Sequence, residues 1–191
     1  MIAAYYSKGC DSHEIFSDLK ISKDPTFEDN INRYTVIKLD INGAATGKGD
    51  KTIVQYYNEN VVPELMKAYP NVGLSSDMSI AKALVSIHEA TGDKFVLIID
   101  EYDLPIRDGK YDKEADEYIA FLVSLFKSEE TNYTIALAYL TGIMPIIREK
   151  VQSKLNNFTE YTMLDADDMA PFMGFTEEEV RSLAQKSGMA F

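Results

Sequence analysis

Residues 94–105 read KFVLIIDEYDLP, and this stretch decides the fold. Five apolar residues, 95–99, run without a break into the carboxylates of Asp100 and Glu101. An unbroken apolar run of this length is typical of a strand that is buried on both faces in a parallel sheet. Ligands of such sheets bind at the carboxyl ends of the strands. The stretch therefore predicts both a central strand and a functional site at its end.

Segments on both sides of this strand alternate between strand patterns and helix patterns. Strands that alternate with helices indicate an α/β domain with a mainly parallel sheet. Gly92 is predicted to end the helix that precedes the central strand. The predicted strands are 34–41, 95–100, 133–141 and 158–164, and the predicted helices are 50–69, 77–91, 111–129, 145–155 and a C-terminal helix with Thr176 and Glu179 as its capping box.

Composition limits the class of protein. The chain has 191 residues, of which 46% are hydrophobic, so it is one domain or one domain with a small appendage. No stretch approaches the ~20 apolar residues of a membrane span, and the N-terminus lacks the pattern of a signal peptide. The single cysteine, Cys10, excludes an internal disulfide and fits a reducing cytosol, so a cytoplasmic location is expected. The two histidines lie too far apart in sequence to suggest a zinc site.

The charge of the chain disfavours one class of partner. The formal net charge is −12. Nucleic-acid binding requires clustered Lys and Arg on a basic surface. We therefore expect neither a nucleic-acid partner for this chain alone nor a membrane partner, and solubility explains the acidic balance.

Residues at the predicted strand ends suggest a nucleotide site. Asp100 and Glu101 fit the Walker B pair of a nucleotide hydrolase, in which Asp100 holds Mg²⁺ through water and Glu101 orients the attacking water. Thr141, at the end of the next apolar strand, has a hydroxyl that could sense the γ-phosphate. Asp103 is open to two interpretations, a further ligand of the ion or the start of the following loop. Arg148, in the helix predicted after Thr141, could bring positive charge to a phosphate, although an exposed helical arginine is the commoner case. Asp100 and Glu101 also have a plainer interpretation, because acidic residues commonly end a strand in solvent.

Residues 43–50, GAATGKGD, lie between a predicted strand and a predicted helix, where a phosphate-binding loop would be expected. The pattern of that loop, G-x-x-x-x-G-K-[ST], has four residues between the glycines and a hydroxyl after the lysine. Here only three residues separate Gly43 from Gly47, and Gly49 follows Lys48. We therefore interpret the stretch as a flexible loop of turn-forming residues, with Lys48 in solvent.

Taken together, these motifs resemble the bacterial family called predicted AAA-ATPase, or AAA-ATPase-like, over nearly the whole chain. By this resemblance Asp100 and Glu101 fall on the Walker B positions and Thr141 falls on the sensor position. Asn156 and Asn157 match a family motif whose role does not follow from the residues. The stretches that carry the resemblance are FVLIIDEYDLP (95–105), YLTGIMPIIREKVQSKLNNFTEYTM (139–163) and MGFTEEEV (173–180), with support from EIFSDLKISKD (14–24) and YTVIKLDI (34–41).

The resemblance implies a P-loop NTPase fold, with ATP and Mg²⁺ as cofactors of the intact family domain. Many members also carry a restriction-endonuclease-like nuclease domain further along the chain. In the family a phosphate loop, Walker A, lies just upstream of the residues that match 1–9. The expected fold is therefore an incomplete P-loop NTPase-like three-layer sandwich, with a truncated ATPase core over 1–168 and the start of a helical C-terminal subdomain over 169–191. Whether this chain alone binds ATP or Mg²⁺ stays open.

Three functions are open at this point. The first is the ATP-binding and ATP-hydrolysing core of a larger protein, inactive alone because the phosphate loop is missing. The second is a non-catalytic interaction module that kept the ATPase fold. The third is a metal-dependent phosphoesterase that uses Asp100, Glu101 and Asp103. It is the weakest of the three, because no lysine or histidine stands at an obvious working distance in sequence. A missing strand beside 133–141 would leave an open edge, which predicts self-association or pairing with an upstream segment unless 158–164 covers it.

Overall fold

The computed structural model describes residues 1–143, 155, 157–162, 164–172 and 174–190. The chain divides into two compact units, Met1–Asn157 and Phe158–Phe191. The first unit contains the sheet and the helices around it. The second unit contains short helical segments.

The described strands form one parallel sheet in the order β1–β2–β3. They are β1 (Thr35–Asp40), β2 (Phe95–Asp100) and β3 (Ile135–Leu140). The central strand, β2, is buried along its whole length except at Asp100. This burial on both faces explains why five apolar residues follow one another in its sequence. The predicted α/β fold with a parallel sheet and a central strand at 95–100 is confirmed.

The prediction of a strand at 158–164 is wrong for the residues that the structure describes. Residues 158–162 and 164 have no strand conformation. Instead, the Thr162 amide donates to the Asp165 carbonyl (2.9 Å) and the Asp165 amide donates back to the Thr162 carbonyl (3.2 Å), which closes a tight turn. In the described ranges, none of the three strands pairs with this stretch. In the described part of the chain β3 is therefore an edge strand.

The described helices of the first unit are short before β1, and the three long ones all come after it. The predicted helices at 50–69, 77–91 and 111–129 are confirmed, whereas 144–154, which includes nearly all of the helix predicted at 145–155, lies outside the described residues. The described helices are α1 (Ile2–Tyr6), α2 (His13–Ser17), α3 (Phe27–Asn30), α4 (Ile41–Gly47), α5 (Ile53–Ala68), α6 (Ile80–Thr91), α7 (Leu104–Arg107), α8 (Asp112–Phe126) and α9 (Glu129–Asn132), with 3₁₀ turns at Lys20–Lys23 and Gly109–Tyr111.

Capping residues decide where the long helices begin and end. At the start of α5, Thr52 and Gln55 form a capping box, so the helix begins three residues later than the pattern predicts. Ser79 accepts a hydrogen bond from the Lys82 amide and caps α6. Gly92 then ends α6 with a φ of +76°, a conformation that glycine adopts without steric cost.

Helices α5, α6 and α8 pack against one another and supply a large share of the core. Side chains such as Leu84, Ile87, Leu122 and Leu125 are fully buried there, as is Ile99 of β2. Each buried leucine or isoleucine contributes about 1.5–3 kcal/mol relative to an exposed one. This core fixes the position of β2 and, with it, the carboxylates at its end.

A polar network secures the opposite, amino end of the sheet. Asp93, just before β2, accepts hydrogen bonds from Lys8 and from the Tyr69 hydroxyl. Partial burial of Asp93 favours its neutral form, but these two hydrogen bonds outweigh burial and lower the pKa of the Asp93 carboxyl. His88 contacts the Asp93 carbonyl through Nδ1 (2.8 Å). These contacts make His88 a structural residue, away from the carboxyl ends of the strands.

The second unit, described by itself, contains a 3₁₀ segment at Asp167–Phe172 and helix α10 (Glu177–Lys186). The predicted capping box of Thr176 and Glu179 is confirmed, since each side chain accepts a hydrogen bond from the backbone of the other. In the described ranges, no helix has the length and apolar character that crossing a membrane requires.

Candidate functional site

The carboxyl ends of the three strands bring together two of the residues that the sequence singled out, Asp100 and Thr141, with Asp40 beside them. Asp40 and Asp100 are register partners at the ends of β1 and β2. The Thr141 hydroxyl, just beyond β3, donates a hydrogen bond to Asp100 Oδ1 over 2.5 Å. The backbone holds this pair in place, because the Thr141 amide donates to the Ile99 carbonyl (2.9 Å) and the Tyr102 amide donates to the Thr141 carbonyl (3.0 Å). Asp100 is exposed at this edge of the sheet.

Glu101 follows β2 with a backbone conformation that is rare for its residue type. Its φ is +53°, in the left-handed region that costs a non-glycine residue about 1–2 kcal/mol. The carboxylate is 39% exposed, and its Oε2 lies 3.4 Å from Nη2 of Arg107. Strained backbone of this kind clusters at functional sites, because the surrounding structure must hold it. The turn that ends β2 therefore restrains the backbone of Glu101.

Asp103 is placed differently from Asp100 and Glu101. Its side chain is only 4% exposed, and its Oδ2 lies 3.0 Å from Nε of Arg107. The same oxygen accepts a hydrogen bond from the Ile143 amide (3.3 Å). A Cβ at Gly142 would come within 2.6 Å of Asp103 Oδ1, so the segment after β3 can approach this carboxylate only as glycine. Asp103 thus lies inside the loop and braces it.

The oxygen atoms of Asp100 and Thr141 fit Mg²⁺ in one mode of binding. No cluster of three or more His, Cys, Asp or Glu that could hold a metal ion occurs among the described residues. Magnesium often keeps several waters and uses one or two carboxylates with the phosphates of a substrate. The exposed Asp100 carboxylate and the neighbouring Thr141 hydroxyl fit that mode, whereas the buried Asp103 does not.

Sequence reasoning missed Asp40, which stands beside Asp100. Its Oδ1 accepts a hydrogen bond from the Gly43 amide (2.9 Å) and caps α4. A Cβ at Gly43 would lie 2.8 Å from Asp40 Oδ2, so glycine permits this close approach. The Tyr57 hydroxyl donates to the Asp40 carbonyl (2.5 Å). The available signal was that VIKLD and VLIID are two apolar strands that both end in aspartate.

The interpretation of residues 43–50 as a flexible loop with Lys48 in solvent is wrong. Helix α4 begins at Ile41, directly after β1, and extends to Gly47. Lys48 is only 15% exposed and pairs with Glu114, 14% exposed, over 3.0 Å. Glu114 also accepts a hydrogen bond from the Ile53 amide (2.9 Å), so the pair ties the start of α5 to α8. The Lys48 charge is used inside the fold, which adds to the argument against a phosphate cradle here.

Two buried tyrosines lie close behind the strand ends. Burial raises the pKa of the Tyr118 hydroxyl well above its usual value, and the charge of Asp103 is among the smaller causes. Burial likewise raises the pKa of Tyr57, with the charge of Asp40 acting in the same direction. Among the described residues, the Tyr118 hydroxyl has no hydrogen-bond partner. Both hydroxyls therefore stay protonated at neutral pH and act as neutral dipoles beneath the site.

The remaining predicted residues are divided between described and undescribed parts of the chain. Arg148 and Asn156 lie outside the described residues. Asn157 donates from Nδ2 to the Phe126 carbonyl (2.7 Å), so it satisfies a carbonyl at the end of α8. Cys10 is exposed and is not part of a disulfide.

Comparison with models of protein families gives a match. The model of the family described as Predicted AAA-ATPase matches residues 1–152. The curated proteins and the solved structures return no match.

Proposed function

Since the chain belongs to the predicted AAA-ATPase family, we propose that it is the ATP-binding and ATP-hydrolysing core of a P-loop NTPase-like protein. The observation that carries the proposal is the contact between Asp100 and Thr141 across the ends of β2 and β3, with Glu101 adjacent in a strained turn. This arrangement joins a carboxylate for Mg²⁺, a hydroxyl near the phosphate and a carboxylate for water at one edge of the sheet. A single exposed cysteine supports a cytoplasmic setting.

Each residue has a separate role in this proposal. Asp100 would hold Mg²⁺ through bound water, and the Thr141 hydroxyl fixes the orientation of the Asp100 carboxylate. When bound, Mg²⁺ supplies positive charge to the β- and γ-phosphates. Glu101 orients and polarises the water that attacks the γ-phosphate. Arg148 is proposed to add positive charge near the phosphates.

The described strand ends contain no group that would grip the phosphates in the way that a phosphate loop does. A phosphate loop binds with backbone amides and a lysine at a helix start. In residues 43–50 the position before α4 is capped by Asp40, whose negative charge would repel a phosphate, and Lys48 is paired with Glu114. We therefore propose that a Walker A segment from elsewhere completes the site.

The first prediction is that the 191-residue chain alone does not bind ATP with micromolar affinity in the presence of Mg²⁺. The backbone amides and lysine of a phosphate loop supply most of the phosphate affinity, and the 191 residues contain no G-x-x-x-x-G-K-[ST] pattern. Titration calorimetry with ATP and Mg²⁺ measures this directly. Micromolar binding by this chain, lost on Lys48→Gln, would show that residues 43–50 form a working cradle and would overturn the division of roles.

The second prediction concerns the edge of the sheet. In the described part of the chain β3 has β2 on one side only, and Leu137 on this strand and Ile143 just after it are exposed. Such an edge pairs readily with a further strand. We propose that a parallel strand, from the phosphate-loop segment or from a second copy, adds to β3. Light scattering should then show self-association of the chain alone, which Leu137→Lys reduces and the added segment suppresses.

Two results together would contradict this pairing. The chain alone would be a monomer at every concentration, and the β3 amides would exchange as fast as those of an open strand when the added segment is present. The same measurements address the alternative function, a non-catalytic interaction module. If the edge pairs as proposed but no version of the protein binds ATP, the interaction module becomes the better account.

A further inference from the structure

The loop after β2 contains an arginine that the proposed chemistry does not use. Arg107, in α7, lies between two carboxylates of that loop. Its Nε is 3.0 Å from Asp103 Oδ2, and its Nη2 is 3.4 Å from Glu101 Oε2. We call Glu101, Asp103 and Arg107 the acid–arginine clasp. Nε and Nη2 lie on one edge of the guanidinium, so the two carboxylates share a fork of donors that lysine lacks.

The two halves of the clasp differ in strength. Asp103 is almost fully enclosed, and a buried carboxylate requires a partner charge, so Arg107 is anchored on this side. Glu101 is 39% exposed and its contact is longer, so water competes for it. The clasp therefore has a fixed anchor and a releasable end, and the releasable end is the carboxylate assigned to the attacking water.

The anchor also contacts the segment that follows β3. The Ile143 amide donates to Asp103 Oδ2 (3.3 Å). At Gly142, an added Cβ would lie 2.6 Å from Asp103 Oδ1 and 2.8 Å from Tyr102 Cε1, so backbone and carboxylate are in close contact. Thr141, which begins this segment, is bonded to Asp100. Movement of residues 141–143 would therefore be transmitted to Asp103 and, through Arg107, to Glu101.

We propose that Arg107 is a positioning residue, which holds the Glu101 carboxylate and makes its orientation depend on the segment 141–143. This inference rests on the proposed function for its role in hydrolysis. The strained φ of Glu101 restrains the backbone, and Arg107 restrains the side chain. A change at Thr141 on nucleotide binding would then reach Glu101 by contacts through Asp103 and Arg107.

The contacts are tested in the 191-residue chain by NMR, without any nucleotide. Glu101→Gln should speed rotation of the Arg107 guanidinium about its Nε–Cζ bond severalfold, since Nη2 loses a charged partner. Arg107→Gln should raise amide exchange at Ile143 about tenfold, because Asp103 loses the ion pair that holds its carboxylate against this amide, while exchange at Leu97 in β2 is unchanged. Arg107→Lys should raise amide exchange at Ile143 by less than Arg107→Gln does. If Arg107→Gln does not fold, Arg107→Lys takes its place in this measurement.

The matched control is Arg181→Gln with its partner change Glu177→Gln. Arg181 and Glu177 form an exposed pair in α10, so these substitutions should leave both Ile143 exchange and Arg107 rotation unchanged. If Glu101→Gln leaves Arg107 rotation at its original rate, or Arg107→Gln leaves Ile143 exchange unchanged, the proposal is overturned. A merely structural Asp103–Arg107 pair would respond to Asp103→Asn but not to Glu101→Gln.

The role in hydrolysis is tested in the version of the protein that includes a phosphate loop. Arg107→Gln should lower kcat about tenfold with little change in KM, because positioning of Glu101 matters mainly in the transition state. Equal kcat values for the original protein and Arg107→Gln would overturn the positioning role. If the original protein shows no hydrolysis while the NMR contacts behave as expected, the proposed function fails and the contacts of the clasp stand.

Discussion

Glu101→Gln is expected to reduce ATP turnover by roughly 10²-fold or more, with nucleotide affinity nearly unchanged, once a phosphate loop is joined in frame to the chain. The substitution keeps the size of the side chain and removes the charge that polarises the attacking water. Because this interaction is made mainly in the transition state, its loss lowers turnover rather than binding. Single-turnover hydrolysis and calorimetry on the same protein separate the two quantities.

Controls for this result come from the same sheet and from an exposed helix position. Thr141→Ala should give an intermediate loss of turnover, because it removes the hydrogen bond to Asp100 but no charge. Glu89→Gln, the same change at an exposed position of α6, should leave turnover unchanged. Unchanged turnover in Glu101→Gln would mean that Asp100 and Glu101 are ordinary residues at the end of a strand.

Asp103→Ala is expected to lower the free energy of unfolding by about 2–3 kcal/mol, measured in urea by tyrosine fluorescence. The change removes the buried carboxylate that pairs with Arg107 and accepts the Ile143 amide. Loss of one partner of a buried pair typically costs about 3–5 kcal/mol, and we expect less because Arg107 is 25% exposed and can reach water.

The control for this prediction is Asp116→Ala, at an exposed position of α8. Surface changes of this kind stay within about 0.5 kcal/mol. If Asp103→Ala were as mild as Asp116→Ala, Asp103 would not brace the loop. Its alternative role as a ligand of Mg²⁺, which stays a prediction from the sequence, would then gain support.

The parts of the fold that could be predicted are those governed by local patterns. Strand β2 was readable because burial on both faces leaves an unbroken apolar run, and Gly92 marked the end of α6 because glycine alone adopts a positive φ without cost. The rule that ligands bind at the carboxyl ends of parallel strands placed Asp100 and Thr141 at one edge of the sheet, and the hydrogen bond between them is a finding of the structure. Local sequence was sufficient for these features.

The failures depend on partners that are distant in sequence. The local pattern predicts an exposed Lys48, because its partner, Glu114, comes from another helix and no local pattern indicates that pair. Turn-forming residues in GAATGKGD concealed α4, whose start is set by the side chain of Asp40. Asp103 and Arg107 are one helical turn apart, but the burial that makes their pairing matter depends on the segment after β3.

The central claim is that Asp100 holds the Mg²⁺ of bound ATP and Glu101 acts on water, so the most direct test is the Mg²⁺ dependence of nucleotide affinity. In a version of the protein that includes the phosphate loop, calorimetry with ATP is compared with and without Mg²⁺. The account predicts that Mg²⁺ strengthens ATP binding by this version when it carries no substitution and when it carries Glu101→Gln. The gain in affinity is largely lost when it carries Asp100→Ala. An equal gain from Mg²⁺ in all three proteins would contradict it.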